Sequence, residues 1–216
     1  MGYELVIFDL DGTLLNTLED LADACNAALA EAGFPPRTLD EVRRFIGNGV
    51  ARLIQRAVPE GTAEDVVRHV LELFKVIYLE NVNVKTAPYD GIASMLRALR
   101  AAGIRTAVNS NKVDAATQRL CAIHFGSLID LALGEQEGIP KKPAPDGARH
   151  IMERLAVSPA RTLYVGDGDA DILTARNAGI DMAWVSWGFR RRDELQGLDI
   201  PRAFDSVTAL ESFILA

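Results

Sequence analysis

Tyr3-Glu4-Leu5-Val6-Ile7-Phe8-Asp9-Leu10-Asp11-Gly12 is the stretch from which the fold is read. Residues 3–8 form a short run rich in β-forming apolar side chains, with no polar alternation in its second half. Such a run predicts a strand buried on both faces, as in a parallel sheet. It ends in two carboxylates and a glycine, so Asp9 and Asp11 sit at the C-terminal end of that strand.

Directly after the strand the pattern becomes helical. From Thr17 to about Glu31 the apolar positions Leu18, Leu21, Ala22, Cys25, Ala28 and Leu29 follow helical spacing, and Gly33 with Pro35-Pro36 stops them. Thr38 and Glu41 have capping-box spacing at the head of a second helix. Gly47-Asn48-Gly49 interrupts it, a third helix runs from Val50 to Val58, and a long one from Thr62 to about Glu80. Residues 16–82 therefore read as all-helical.

Beyond Tyr89-Asp90-Gly91 the rhythm alternates. Helices are expected over Ile92–Ala102, Val113–Ala122, Pro145–Leu155, Ala170–Ala178 and Ser206–Leu215. Strands are expected over Ile104–Asn109, Leu128–Leu133, Thr162–Val165 and Met182–Ser186. Alternating strands and helices imply a parallel sheet covered on both faces. The expected architecture is an α/β doubly wound, Rossmann-like core, residues 1–15 plus 83–216, with a small α-helical cap of residues 16–82 inserted after the first strand.

Three of these strands end in polar clusters: Asp9 and Asp11; Ser110-Asn111-Lys112; and Gly166-Asp167-Gly168-Asp169-Ala170-Asp171. Each alone is an ordinary turn composition. Together they fall where ligands bind in open α/β sheets, beyond the carboxyl ends of the strands. Carboxylates brought together repel and take up protons unless a cation joins them. Mg²⁺, with few carboxylates, water and a phosphate, suits such a set. Lys142, between Lys141 and Pro143-Ala144-Pro145, supplies a positive charge on a stiff loop. Ser110 and the N–H groups heading the 113–122 helix supply an anion seat. The combination describes a phosphoryl site. Lys141 and Lys112 read as solvated surface lysines.

The chain has 216 residues, 49% of them hydrophobic, enough for one substantial core or a core with a smaller insert. With 23 Lys+Arg and 30 Asp+Glu the formal charge is −7, which gives no bulk attraction for nucleic acid or an anionic membrane. Cys25 and Cys121 lie in apolar helical patterns and read as buried reduced thiols rather than a disulfide. His69, His124 and His150 have no ligand spacing and read as surface or half-buried helix residues. No signal-like or membrane-spanning run is evident, so a cytoplasmic protein is expected, as a monomer with a dimer left open.

Asp9-Leu10-Asp11-Gly12-Thr13-Leu14, Ser110-Asn111, Lys142-Pro143-Ala144-Pro145 and Gly166-Asp167-x-x-x-Asp171 resemble, in order, the four signature motifs of the haloacid dehalogenase superfamily. The resemblance extends over essentially the whole chain, including Asn177-Ala178-Gly179 and Trp187-Gly188-Phe189. Phe45-Ile46-Gly47-Asn48-Gly49 resembles the phosphoglycolate phosphatase branch. It implies that Asp9 is a nucleophile forming an aspartyl phosphate, and that Asp11 protonates the leaving alkoxide and then activates water. It implies Mg²⁺ held by an Asp9 oxygen, the Asp11 backbone carbonyl and Asp167, with Thr13 and Asp171 in support, the latter through metal waters or Lys142. Ser110, the Asn111 N–H and Lys142 would hold the phosphoryl oxygens. Superfamily members that act on carbon–halogen or carbon–phosphorus bonds lack the second aspartate, so Asp11 favours phosphate esters. Gly168 departs from the Ser or Thr common in relatives.

The cap is expected to set specificity. Gly47 and Asn48 stand either as substrate contacts or as a plain turn between helices. The leading expectation is a phosphatase for a small phosphorylated metabolite, 2-phosphoglycolate first. An inorganic pyrophosphatase, a sugar or nucleotide monophosphatase, a phosphosugar mutase and a non-enzymatic phosphoryl-binding protein are the alternatives.

Overall fold

The computed structural model describes residues 2–200 and 202–216. The chain begins with strand β1 (Leu5–Phe8) and a two-residue strand β2 (Leu15–Asn16). Four helices follow: α1 (Leu18–Glu31), α2 (Leu39–Phe45), α3 (Val50–Ala57) and α4 (Glu64–Glu80). A second two-residue strand, β3 (Ala87–Pro88), pairs antiparallel with β2. The remainder alternates as α5 (Ile92–Ala101), β4 (Arg105–Val113), α6 (Asp114–His124), β5 (Leu131–Glu135), α7 (Asp146–Arg154), β6 (Thr162–Gly166), α8 (Asp169–Ala178), β7 (Asp181–Val185), β8 (Ala203–Phe204) and α9 (Val207–Leu215).

The main sheet has the order β5-β4-β1-β6-β7-β8, every neighbour parallel. β1 is central, and the order reverses around it, which makes its C-terminal end the topological switch point. The expected doubly wound α/β core is present. Successive β1 side chains alternate between two apolar layers. Val6 and Phe8 pack with residues of α1, α5, α6 and α9, and Leu5 and Ile7 with residues of α7 and α8. All four are fully buried, which is why the run shows no polar alternation. The described cysteines are free and buried, and burial pushes both thiols up to about 12. Among the described residues no helix is long and apolar enough to cross a membrane.

The expected helices and strands recur with shifts at their ends. The capping box of Thr38 and Glu41 forms, with the Glu41 N–H donating to Thr38 Oγ1 at 3.3 Å and the Thr38 N–H to Glu41 Oε2 at 2.8 Å. β5 starts at Leu131, not Leu128, because Gly126–Leu128 coils into a 3₁₀ turn. β4 runs on to Val113 through a register shift against β5 between Asn109 and Val113. Ser110, Asn111 and Lys112 thus lie within an irregular strand end rather than a following loop. The pairs β2–β3 and β7–β8 were not legible, since two-residue strands carry no periodicity.

The chain leaves the sheet for α1–α4 and returns close to where it left. Asp20, near the start of α1, is buried at this crossing. Its carboxylate accepts from the N–H groups of Val84 (3.0 Å), Lys85 (2.9 Å) and Thr86 (2.9 Å), and from Thr86 Oγ1 at 2.7 Å. Replacing it strands these donors. Asp20→Ala is expected to cost about 3 kcal/mol on the scale of hydrogen bonds to a charged group. A urea midpoint equal to that of the parent would show that the crossing does not depend on it.

Candidate active site

Asp9 is the first residue past β1. Because Phe8 is level with Val108 of β4 and Val165 of β6, the residues just beyond all three strands share one rim of the sheet. The Asp9 N–H still donates to Val165 O (2.8 Å), which fixes its backbone. Its carboxylate accepts from the Leu10 N–H at 2.7 Å and from Lys142 Nζ at 2.8 Å. Lys142 is buried and reaches Asp171 Oδ1 at 2.7 Å as well, so one ammonium bridges Asp9 and Asp171.

Asp167, past β6, is buried among donors. Thr13 Oγ1 reaches its Oδ1 at 3.1 Å, and the Phe189 N–H its Oδ2 at 2.6 Å. Asp171 turns back toward Gly168, whose N–H donates to its Oδ2 at 3.0 Å. Burial, followed by the charge of Asp171, pushes Asp9 well above the ordinary carboxyl value, against the pull of Lys142. The same two causes raise Asp167 to about 6, opposed by Phe189 and Thr13. Lys142 is held protonated: burial works against its charge, and Asp171 and Asp9 outweigh burial.

Asp11 faces a different cation. Lys112 Nζ lies 2.8 and 2.9 Å from its two oxygens, and Thr17 Oγ1 donates to Oδ1 at 2.6 Å. The expectation of a solvated Lys112 is wrong. The side chain is only 2% exposed and its ammonium sits 4.7 Å from the centre of the Tyr78 ring, on α4. The irregular end of β4 turns it inward. Lys141 does remain at the surface, paired with Glu135 at 2.8 Å.

Ser110, Asn111, Gly47 and Gly49 line the same small cavity, of about 50 Å³, as Asp9, Asp11, Lys142 and Asp167. By the space one water needs, that is room for roughly three to five waters. Asn111 also anchors the lysine loop. Its Oδ1 accepts from the Lys142 N–H at 2.8 Å and its Nδ2 donates to Lys142 O at 3.0 Å. Asn48 is not in the cavity lining. Its amide oxygen accepts from Arg56 Nη2 at 3.0 Å, so of the glycine-flanked turn the glycines, not the amide, border the site.

Arg190, which no motif marks, and Arg43, one of the arginines that make α2 basic and that read as solvated or as a contact for a substrate carboxylate, join the segment after β7 to α2. Arg190 Nη1 donates to the carbonyls of Arg43 (3.2 Å) and Arg44 (3.3 Å), and Nη2 to that of Ile46. These are carbonyls that the end of α2 leaves unpaired. In return Arg43 donates to Phe189 O and pairs with both oxygens of Glu194 (2.9 and 2.8 Å). Arginines on a helical face usually meet only water, so Arg43 carried no sign of this contact, and Arg190 lies outside any helix.

Asp9, Asp167 and Asp171 each offer an oxygen within 4.8 Å of the others. Asp9, Asp11, Asp167 and Asp171 face two ammonium groups, Lys112 and Lys142, so the fully ionised set would carry two negative charges in excess. The all-oxygen donors and this residual charge fit a hard divalent cation. Asp11 can join such a set only through its backbone, since its carboxylate is turned to Lys112.

Gly12 has φ +83°, and a Cβ there would lie 2.7 Å from Asp167 Oδ2. Gly12→Ala is therefore expected to displace Asp167 from its donors and to cost about 1–3 kcal/mol of stability, the range for a residue forced into a sparsely populated backbone region. An unchanged melting temperature would show that the close approach is not needed.

Residues 6–185 match the model of the haloacid dehalogenase-like hydrolase family. The chain is 34% identical to a phosphoglycolate phosphatase of Psychrobacter arcticus, covering 100% of this chain and 97% of that one. It is 33% identical to a phosphoglycolate phosphatase of Aquifex aeolicus, with 98% of each covered. A crystal structure of the provisionally named phosphoglycolate phosphatase of Lactobacillus delbrueckii subsp. bulgaricus superposes with a TM-score of 0.95 at 35% identity over the whole of both chains. The CbbY protein of Rhodobacter sphaeroides, crystallised with phosphate, superposes with a TM-score of 0.73 at 27% identity over 94% of each. A carboxylate-lined switch point reached in four separate segments, on a sheet of this order and with a family match over most of its length, places the chain among the haloacid dehalogenase-like hydrolases.

Proposed function

We propose that this hydrolase is a Mg²⁺-dependent phosphatase of small phosphomonoesters, acting through an aspartyl phosphate, with 2-phosphoglycolate the leading substrate. The observation that carries the reading is the division of the aspartates. Asp9 faces Lys142 at 2.8 Å, whereas Asp11, in the same cavity, is held apart by Lys112 and Thr17. Two carboxylates in one site with separate partners can take separate roles.

In the proposed reaction an Asp9 oxygen attacks phosphorus, and the bond from phosphorus to the ester oxygen breaks. The electron pair leaves on the alkoxide, which takes the Asp11 proton. Asp11, now a carboxylate, takes a proton from water, whose oxygen attacks phosphorus and releases inorganic phosphate and free Asp9. Lys142, Ser110 and the Asn111 N–H would balance charge on the phosphoryl oxygens. Asp9, the Asp11 carbonyl and Asp167, with Asp171 beside them, would hold Mg²⁺, which when bound supplies charge neutralisation for the phosphoryl group.

The cavity of about 50 Å³ supports a compact leaving group. The names of the 34% and 33% identical relatives support 2-phosphoglycolate. We further propose that residues 16–82 act as a cap, with residues 15–16 and 84–88 as the two crossings, and that the clasp of Arg43 and Arg190 holds it closed. The crystal complex of a CbbY variant with xylulose 1,5-bisphosphate, at 26% identity, makes that sugar bisphosphate a useful comparison substrate.

A panel of phosphomonoesters ranked by kcat/KM tests the substrate. It should contain 2-phosphoglycolate, sugar phosphates, nucleoside monophosphates and pyrophosphate. A preference of about ten-fold or more for a larger ester, a measurable 1.4 kcal/mol in transition-state binding, would overturn phosphoglycolate. Asp9→Asn is expected to lower turnover by at least about 10⁴-fold, the scale for removing a nucleophile, with the melting temperature retained.

Metal binding should show a pH signature. Asp167 has its folded value raised from 3.8 to about 6. The folded metal-free state therefore binds more protons than the unfolded one in that window, and this group's contribution to stability falls as pH rises from about 4 to about 6. Mg²⁺ relieves the repulsion but competes with protons. The rise in melting temperature on adding Mg²⁺ should be large at neutral pH and shrink below about pH 6. A rise of equal size at pH 5 and pH 8 would count against Asp167 as a ligand.

A further inference from the structure

The pairing of Lys112 with Asp11 is more specific than charge balance requires. Its ammonium engages both oxygens of one carboxylate, at 2.8 and 2.9 Å, with side chains 2% and 13% exposed. The lysine is itself fixed from two sides. Its backbone N–H donates to Ser110 Oγ at 3.2 Å, and the Tyr78 ring backs its ammonium at 4.7 Å. Thr17 Oγ1 then holds Asp11 Oδ1 at 2.6 Å. Two groups, through three hydrogen bonds, thus set the plane of the carboxylate. Without the lysine a single hydroxyl contact remains, and the carboxylate can rotate about its side-chain bonds beside Asp9, Asp167 and Asp171.

We propose that Lys112 is a positioning residue: by gripping both oxygens of Asp11 it sets the direction from which that carboxyl meets the leaving oxygen of the substrate. The inference rests on the reading of Asp11 as the acid and base. Lys112 touches neither phosphorus nor the leaving group in this role. It acts through orientation, and misplacing a catalytic group by about an ångström suffices to slow a reaction strongly.

Positioning of a proton donor has a readout that a structural lysine lacks. An alkyl ester leaves as a basic alkoxide and needs the Asp11 proton while the bond to phosphorus breaks. p-Nitrophenyl phosphate leaves as a stabilised phenolate and needs it far less. Rapid-quench measurement of the first step, at saturating Mg²⁺, compares the two esters in the parent, Lys112→Met, Lys112→Gln, Lys112→Arg and Asp11→Asn. The alkyl ester is the one turned over fastest in the panel. Each variant is measured below its own melting transition, and the Met and Gln replacements guard against one of them failing to fold.

Lys112→Met and Lys112→Gln should slow the alkyl ester on the order of ten-fold or more, part of the range for general acid catalysis. They should slow the aryl ester several-fold less, with KM for the alkyl ester little changed. Lys112→Arg should recover part of the rate. Equal slowing of both esters by Met and Gln, or rates within about two-fold of the parent, would overturn the proposal. Asp11→Asn separates the two readings. If it slows both esters equally, the acid assignment of Asp11 fails; if it discriminates and the lysine variants do not, the positioning role of Lys112 fails alone.

Discussion

Four aspartates crowd the rim of a buried parallel sheet, and two buried lysines divide them. Lys142 bridges Asp9 and Asp171, and Lys112 takes Asp11. Asp167 receives N–H and hydroxyl donors from Phe189 and Thr13 instead. Isolated carboxylates at such depth would bind protons. Asp9 and Asp171 share Lys142, whereas Asp11 and Asp167 have partners of their own, so the environments of Asp9 and Asp11 diverge although they share one cavity. That divergence is what allows one aspartate to be proposed as nucleophile and its neighbour two residues on as acid and base.

The fold supplies this arrangement through register. β1 lies between β4 and β6 with Phe8, Val108 and Val165 level, and Asp9, Ser110 and Asp167 follow just past those positions. The loop before α7 then delivers Lys142, whose backbone is tied to the Asn111 amide through both its N–H and its C=O. Small residues permit the close approach. A Cβ at Gly188 would lie 2.3 Å from the Cβ of Asp167, and one at Gly166 would lie 2.4 Å from the carboxyl carbon of Asp171. A side chain at either point would displace a carboxylate.

The helices α1–α4 contribute in two ways. Their glycine-flanked turn borders the cavity with Gly47 and Gly49, and Tyr78 of α4 backs Lys112. They are joined to the sheet by Asp20 at the chain crossing and by the arginine clasp at the end of α2. Arg190 does double duty there, because its backbone N–H also reaches Asp167 Oδ2 at 3.3 Å. One residue thus joins α2 to an aspartate of the site. This mechanical link accompanies the proposal that these helices form a cap.

Much of this was legible in the chain. The uninterrupted apolar run before Asp9, the helical spacing from Leu18 to Glu80 and the later alternation of strand and helix are local patterns, and local backbone preference determines them. Asp9, Asp11, Lys142 and Asp167 stood out because their residue types and strand-end positions carry chemistry. The sequence by itself determined the elements, the layer architecture and the candidate reacting groups. Only the tertiary structure decided how those groups are partnered. Lys112 read as a surface lysine because burial is a property of packing: the register shift in β4 turns it inward, onto Tyr78 and Asp11. Asn48 left the cavity for Arg56, and Arg190 found the carbonyls of α2 across 144 to 147 positions of chain. Contacts between residues so far apart depend on the docking of completed elements, and no local periodicity records them.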